Sequence, residues 1–76
     1  MPARRNADLR RFGDALRQER LGQGISQENL ALRADLNRTY MGGVERGEEN
    51  ISLLSMLKIA DVLDCKPSDL LRRAGL

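Results

Sequence analysis

Three segments of this 76-residue sequence begin with the same helix-start signal, which restricts the fold more than any other feature. In each segment a Ser or Asn stands at the N-cap position, where its side-chain oxygen can accept a hydrogen bond from a free backbone N–H. An apolar residue precedes each cap and another lies four residues after it, which is the spacing of a hydrophobic staple. The signal predicts a succession of short helices. The three caps are Ser26, Asn37 and Ser52.

Apolar residues recur at helical spacing along the rest of the chain, whereas sustained apolar–polar alternation is missing. We therefore predict an all-α, five-helix domain over residues 1–76, with residues 1–7 as a flexible arm. Gly22 and Gly24 should end the first helix, and Pro67 should begin the last one. The predicted helices span residues 8–22, 27–34, 38–46, 53–64 and 67–73.

Composition removes several classes of protein. A single cysteine excludes an internal disulfide, and one cysteine without histidine excludes an ordinary zinc site, so no metal or other cofactor is expected. No secretory signal and no membrane-spanning run is present, which predicts a cytoplasmic protein. A core of this size rarely supplies more than about 3–5 kcal/mol, so self-association is expected to add stability. The net charge of +2 indicates nucleic acid only weakly.

The second and third helices are predicted to form a helix-turn-helix over Gln27–Arg46. The caps Ser26 and Asn37 lie 11 residues apart, so the two helices must be joined by a tight turn and must cross steeply. Ala31 provides a small residue at the crossing. The turn needs a residue in the left-handed region, and Asp35 tolerates that conformation.

In a DNA-binding helix-turn-helix, the first residues of the second helix reach base edges in the major groove. Arg38 can bind guanine O6 and N7, and Thr39 can offer its hydroxyl or its methyl group. Tyr40 can stack on a sugar or donate to a phosphate, and Gln27 can hold a phosphate at the start of the preceding helix. Each also has an ordinary explanation, as a solvated first-turn residue or, for Tyr40, as a cap on the core. Their combined spacing favours DNA.

A set of residue types at defined distances extends over nearly the whole chain. It comprises Arg17-x-x-Arg20, Gly24 to Gln27 with Glu28-x-Leu30-Ala31, Glu45-Arg46-Gly47, Ser52-Leu53 and Ile59-Ala60-x-x-Leu63. With this set the sequence resembles the lambda-repressor-like (Cro/C1-type, xenobiotic-response-element) helix-turn-helix family. Asn37 to Met41, Val44 to Gly47 and Asn50 to Leu53 are most similar to the controller proteins of restriction–modification systems. Those are small dimers that bind operators near their own gene and the endonuclease gene, activating at low occupancy and repressing at high occupancy.

The resemblance implies a role for individual residues. Arg20 and Glu45 would form an internal ion pair between the first helix and the recognition helix. Glu28 would be a candidate contact for the sigma subunit of RNA polymerase, although a first-turn glutamate favoured by the helix dipole explains it as well. The DNA contacts would be Arg38, Thr39 and Tyr40 on bases, and Ser26, Gln27, Arg46 and Asn50 on the phosphate backbone.

Two adjacent glycines interrupt the recognition helix, where each costs about 1 kcal/mol relative to alanine. Gly42 and Gly43 would allow a close approach of the backbone to DNA, with Gly43 among the base-facing positions, or the helix would order fully only on binding. Glu48 and Glu49 would repel phosphate. Their loop is therefore expected to lie off the DNA backbone or to accept from cytosine N4.

Several apolar residues exceed what one small core can use, and we expect some of them in a two-fold dimer patch on helices 4 and 5. The alternative is a set of surface leucines near a terminus. Cys65 is expected as a packed core thiol, with an intersubunit disulfide or a redox sensor as the alternative. The candidate dimer residues are Leu54, Val62, Leu70 and Leu71.

The predicted function is that of a non-enzymatic, homodimeric regulator that binds a palindromic or pseudopalindromic operator in double-stranded DNA. An antitoxin or a phage-type repressor would share this fold. A protein-binding helical module would not bind DNA, and an enzyme would need catalytic groups that are missing here. Arg4 and Arg5 could form a minor-groove arm or a disordered terminus.

Overall fold

A computed structural model describes residues 2–76, with side chains from Asn6 onward. It has five helices and no strand over these residues, which confirms the all-α prediction. Four of the helices match their predicted bounds to within one residue, and the first begins six residues earlier than predicted. The flexible arm over residues 1–7 stays a prediction, and the side chains of Arg4 and Arg5 lie outside those described. The helices are α1 (Pro2–Gly22), α2 (Gln27–Arg33), α3 (Arg38–Glu45), α4 (Leu53–Leu63) and α5 (Pro67–Arg73).

All three predicted N-caps are confirmed. Each cap has an extended backbone, and its side chain accepts from the backbone N–H three residues later at 3.0–3.1 Å. Asp35 lies in the left-handed region with φ of 56°, as the tight turn between α2 and α3 requires. Asp64 takes the same conformation at the end of α4, which the sequence did not indicate because no glycine stands there.

The core lies between the helices and takes its fully buried side chains from each of them. Leu16, Leu30, Met41, Ile59 and Leu63 are at most 1% exposed. Leu70 joins them at 1% exposed, so its predicted place on a dimer surface is wrong: α5 turns this side chain into the core of its own chain. No helix within residues 2–76 has the length and apolar character needed to cross a membrane.

Two glycines allow α1 to lie directly against the end of α3. A Cβ on Gly13 would lie 2.3 Å from the carbonyl oxygen of Val44 and 2.5 Å from that of Glu45. Gly47, just after α3, has φ of +75°, and a Cβ there would lie 2.7 Å from Cα of Arg10. Neither contact is indicated by the sequence, since helical spacing shows which face of a helix is apolar and not how closely two backbones approach.

Candidate nucleic-acid interface

The outer face of α3 forms one side of a shallow depression of about 250 Å³. Arg38, Thr39, Gly42 and Arg46 line it from α3 and its C-cap, and Gln27 lines it from the first position of α2. Thr39, Gly42 and Arg46 lie one, four and eight residues after Arg38, so the four positions share one helix face. Both arginines are exposed. The structure therefore brings five predicted positions together around a surface with two guanidinium groups and a side-chain amide.

A buried ion pair holds the last residue of α3, beside the depression. Arg20 donates to both carboxylate oxygens of Glu45, from Nε at 2.7 Å and from Nη2 at 3.0 Å, and from Nη1 to the carbonyl oxygen of Ile25 at 2.9 Å. The two side chains are only 8% and 3% exposed. The hydrogen bonds to Glu45 raise the pKa of Arg20 and outweigh the opposing effect of burial. Arg20 is thus a structural residue that ties α1 to α3 and to the residue before the N-cap of α2.

The same carboxylate positions Gln27. Its Nε2 donates to Oε1 of Glu45 at 3.0 Å, so the side chain is held between the ion pair and the depression. Its Oε1 is directed towards Gly42, where a Cβ would lie 3.3 Å away. The path from Arg20 through Glu45 to Gln27 therefore connects the core with the exposed face.

Tyr40 lies apart from the depression. It is half-buried and packs against the core. Its hydroxyl accepts from the backbone N–H of Ser52 at 3.3 Å and is hydrogen-bonded to Oγ of Ser55 at 3.3 Å. In this arrangement Tyr40 ties α3 to the start of α4, and donation to a DNA phosphate would require its hydroxyl to release Ser55.

The loop after α3 covers part of that helix. Nε of Arg46 donates to Glu48 at 3.1 Å, and both side chains are largely exposed. Glu49 lies across Gly43, where a Cβ would be 2.6 Å from its Cγ. Gly43 is buried, so the expectation that its backbone faces bases is corrected: the accessible surface at this position belongs to Glu49.

The remaining predicted contacts are dispersed. Ser26 is exposed next to Gln27, with its Oγ accepting from the backbone of α2 as the cap. Asn50 lines a different hollow, together with Asp8 and Leu9, so its contact with the DNA backbone stays a prediction. Glu28 is exposed in the first turn of α2.

Apart from the buried Leu70, the predicted dimer residues divide into two groups. Leu54 is 63% exposed on α4, whereas Val62 and Leu71 are half-buried against the core. Two further leucines, Leu53 and Leu57, are exposed on the same helix. Leu53, Leu54 and Leu57, hereafter the α4 leucines, form an exposed apolar surface, of which only Leu54 was predicted.

Cys65 is half-buried and packs against the core. Burial raises the pKa of its thiol, and the neighbouring carboxylate of Glu19 adds to that effect. The surroundings are those of a packed thiol that stays protonated at neutral pH.

Comparison with known proteins identifies relatives of this arrangement. The family described as Helix-turn-helix matches residues 16–70. Control protein C.BamHI of Bacillus amyloliquefaciens is 48% identical over 61 residues, which are 79% of this chain and 75% of that protein. Control protein C.SmaI of Serratia marcescens is 44% identical over 52 residues, 68% of this chain and 62% of that protein. The crystal structure of the restriction–modification controller protein C.AhdI from Aeromonas hydrophila has a TM-score of 0.83 at 52% identity, covering 84% of this chain and 97% of that one.

Proposed function

The chain belongs to the helix-turn-helix family, and on that basis we propose that it is a sequence-specific, DNA-binding transcription regulator. It acts as a homodimer on a palindromic or pseudopalindromic operator, as a controller protein that activates and represses its own promoter and that of a restriction endonuclease. Its relatives support the controller role, since C.BamHI, C.SmaI and C.AhdI are each described as control or controller proteins.

One observation carries the DNA-binding proposal. The exposed first turn of α3 and the start of α2 meet at one depression, while the last residue of α3 is held beside it by a buried ion pair. Arg38 and Thr39 are exposed at the end of α3 that enters the major groove in this family of motifs. Gln27 and Arg46 lie at the edge of the depression, where contacts with the phosphate backbone would set the position of the helix.

A dimer follows from the small size of this site and from the α4 leucines. One recognition helix contacts too few bases for a specific operator, whereas two related by a two-fold axis contact half-sites about 10 base pairs apart. Leu53, Leu54 and Leu57 expose apolar surface that a second copy would bury. Leu54→Asp should shift the protein towards the monomer in sedimentation equilibrium. Leu32→Asp, at an exposed leucine on α2, is the matched control.

Activation requires contact with RNA polymerase, and we propose that Glu28 provides it through the sigma subunit. Its exposed carboxylate lies at the start of α2, next to the residues proposed to hold the DNA backbone. Glu28→Ala should therefore reduce transcription from an activated promoter while operator binding stays unchanged. A matching loss of operator binding would assign Glu28 to the DNA contact instead.

Selection from a random duplex pool, followed by titration of the selected operator, tests the DNA-binding proposal. Arg38→Ala should cost about 1–3 kcal/mol and relax the preference at one position of each half-site. Arg72→Ala is the control, because this arginine is exposed on α5 and paired with Asp69, away from the depression. Binding should also weaken steeply with salt. An Arg38→Ala protein with an unchanged ratio of affinities for selected and scrambled duplexes would contradict the assignment.

A further inference from the structure

We infer that Glu49 is a specificity-determining residue that accepts a hydrogen bond from the exocyclic amino group of a cytosine in the major groove, and that Gly43 seats its side chain. The inference rests on the proposed function, and it adds a base contact that lies outside the recognition helix itself.

The side chain of Glu49 packs against α3 at Gly43. A Cβ on Gly43 would lie 2.6 Å from Cγ of Glu49 and 3.3 Å from its Oε2, so the carboxylate lies directly over the helix backbone. Gly43 is one turn after Thr39 and adjacent to Gly42, which lines the depression. The absence of a side chain at Gly43 thus lets an acidic group from the following loop occupy the face that Thr39 also occupies.

The two glutamates of this loop differ in their partners. Glu48 is paired with Arg46 at 3.1 Å. For Glu49, no described side chain donates a hydrogen bond to the carboxylate or forms an ion pair with it, and the residue is exposed. Its acceptor capacity is therefore available to a donor outside the chain.

The chemistry of the groove selects that donor. An ionised carboxylate can only accept hydrogen bonds, and phosphate offers it none, so a favourable contact must be with a base amino group. Adenine places its N7 acceptor beside N6, which a carboxylate does not satisfy. Cytosine presents N4 as a donor without an acceptor on its own major-groove edge, and it is the base that Glu and Asp contact in protein–DNA interfaces.

The experiment repeats the duplex selection with variants of both residues. Glu49→Ala should reduce the cytosine preference at one position of each half-site roughly tenfold, within the range of a single mismatched pair. Glu49→Gln should shift that same position towards adenine, since an amide can both accept from N6 and donate to N7. Gly43→Ala should weaken the preference at that position while Glu49 is still present, because the new Cβ displaces the side chain.

Glu48→Gln is the matched control, because it removes the same charge from the neighbouring residue without touching the Gly43 seat. It should alter the affinity for all duplexes alike. A uniform gain in affinity with Glu49→Ala, at unchanged base preference, would overturn the inference and reduce Glu49 to a source of repulsion. If Glu49→Ala loses the cytosine preference and Gly43→Ala keeps it, the proposal that Gly43 seats the Glu49 side chain is wrong. Should Gly43→Ala melt below the parent, the two Glu49 variants decide the base contact.

The outcomes also separate this inference from the proposed function. If the parent protein enriches no sequence at all, the DNA-binding proposal fails, and the inference fails with it. If the parent enriches a two-fold consensus that the Glu49 and Gly43 variants reproduce at every position, only the inference fails.

Discussion

The two sides of α3 are stabilised in opposite ways. On the inner side, backbone meets backbone at Gly13, and the carboxylate of Glu45 accepts two of the three hydrogen bonds that the buried guanidinium of Arg20 donates. On the outer side, Arg38 and Thr39 are exposed, and the atoms nearest to a Cβ added at Gly43 belong to the side chain of Glu49 in the next loop. One face of an eight-residue helix is thus closely packed, and the other has side chains free to change partners.

This difference shows how so short a helix can present a defined surface. Helices below about 12–15 residues are marginal on their own, so tertiary contacts must supply the stability of α3. The inner contacts hold α3 in place, and folding therefore places fewer demands on the exposed residues of the outer side. Binding preference can therefore change at the outer face without loss of the fold, whereas substitutions on the inner face should affect both.

Glu45→Ala should have the largest effect. It leaves the guanidinium of Arg20 buried without its partner, which costs about 3–5 kcal/mol of unfolding free energy and is comparable to the whole stability expected of so small a domain. It also releases Gln27. Urea unfolding followed by circular dichroism, at one protein concentration because a dimer is expected, measures the loss.

The double variant Arg20→Met with Glu45→Leu is the control for this prediction. Replacing both partners with apolar residues removes the uncompensated charge, so much of the stability should return. If Glu45→Ala lowers the unfolding free energy by less than about 1 kcal/mol, the effect is that of an exposed ion pair. The pair would then be solvated, and the inner side of α3 would not differ from the outer side in this respect.

Gly13→Ala and Gly43→Ala make the same substitution on the two sides and should differ in sign. At Gly13 the new methyl group meets two carbonyl oxygens of α3, and overpacking of this kind costs about 1–3 kcal/mol. At Gly43 it meets a movable side chain, so the gain in helix propensity, about 1 kcal/mol, should prevail. Thermal unfolding of the two proteins checks this. Equal shifts of the melting temperature in the same direction would contradict the difference between the two sides of α3.

Local signals in the sequence predicted most of the fold. The caps at Ser26, Asn37 and Ser52 involve residues three apart, so spacing alone indicates where helices begin. The ion pair of Arg20 with Glu45 joins residues 25 apart, and only the family resemblance suggested it. The contact of Gly13 with α3 was missed, because the distance between two backbones leaves no periodic signal in the sequence.

For the candidate site too, the sequence predicted local features and missed contacts that depend on the path of the chain. Helical spacing grouped Arg38, Thr39 and Arg46 on one face, and the depression is lined by these residues. The same spacing could not show that Glu49 covers Gly43, since that depends on the path of the loop. Nor could it distinguish Leu70 from Leu54, as both are apolar and only the direction of each helix decides which one is buried.

Asn37→Ala should have an intermediate effect, because Asn37 caps the end of α3 that carries Arg38 and Thr39. Its side chain accepts from the backbone of Tyr40 at 3.1 Å, and loss of an N-cap of this kind costs about 1 kcal/mol. Fraying of the first turn should also weaken DNA binding, since Arg38 and Thr39 lie in it. Asn37→Ser keeps a capping oxygen and should restore both properties. Fluorescence-anisotropy titration and thermal unfolding of the three proteins separate these outcomes.

Glu48→Gln should have the smallest effect on folding and so tests the outer side most directly. In the pair with Glu48, the side chain of Arg46 is 59% exposed and that of Glu48 is 62% exposed. Such exposed pairs contribute about 0–1 kcal/mol to stability. The unfolding free energy should therefore change little. Affinity for every duplex should rise a few-fold at low salt, because Arg46 is freed for phosphate and one repelling charge is lost, and the gain should shrink as salt screens it. A destabilisation approaching that of Glu45→Ala would show that the outer pair also holds α3, and the contrast between the two sides would then disappear.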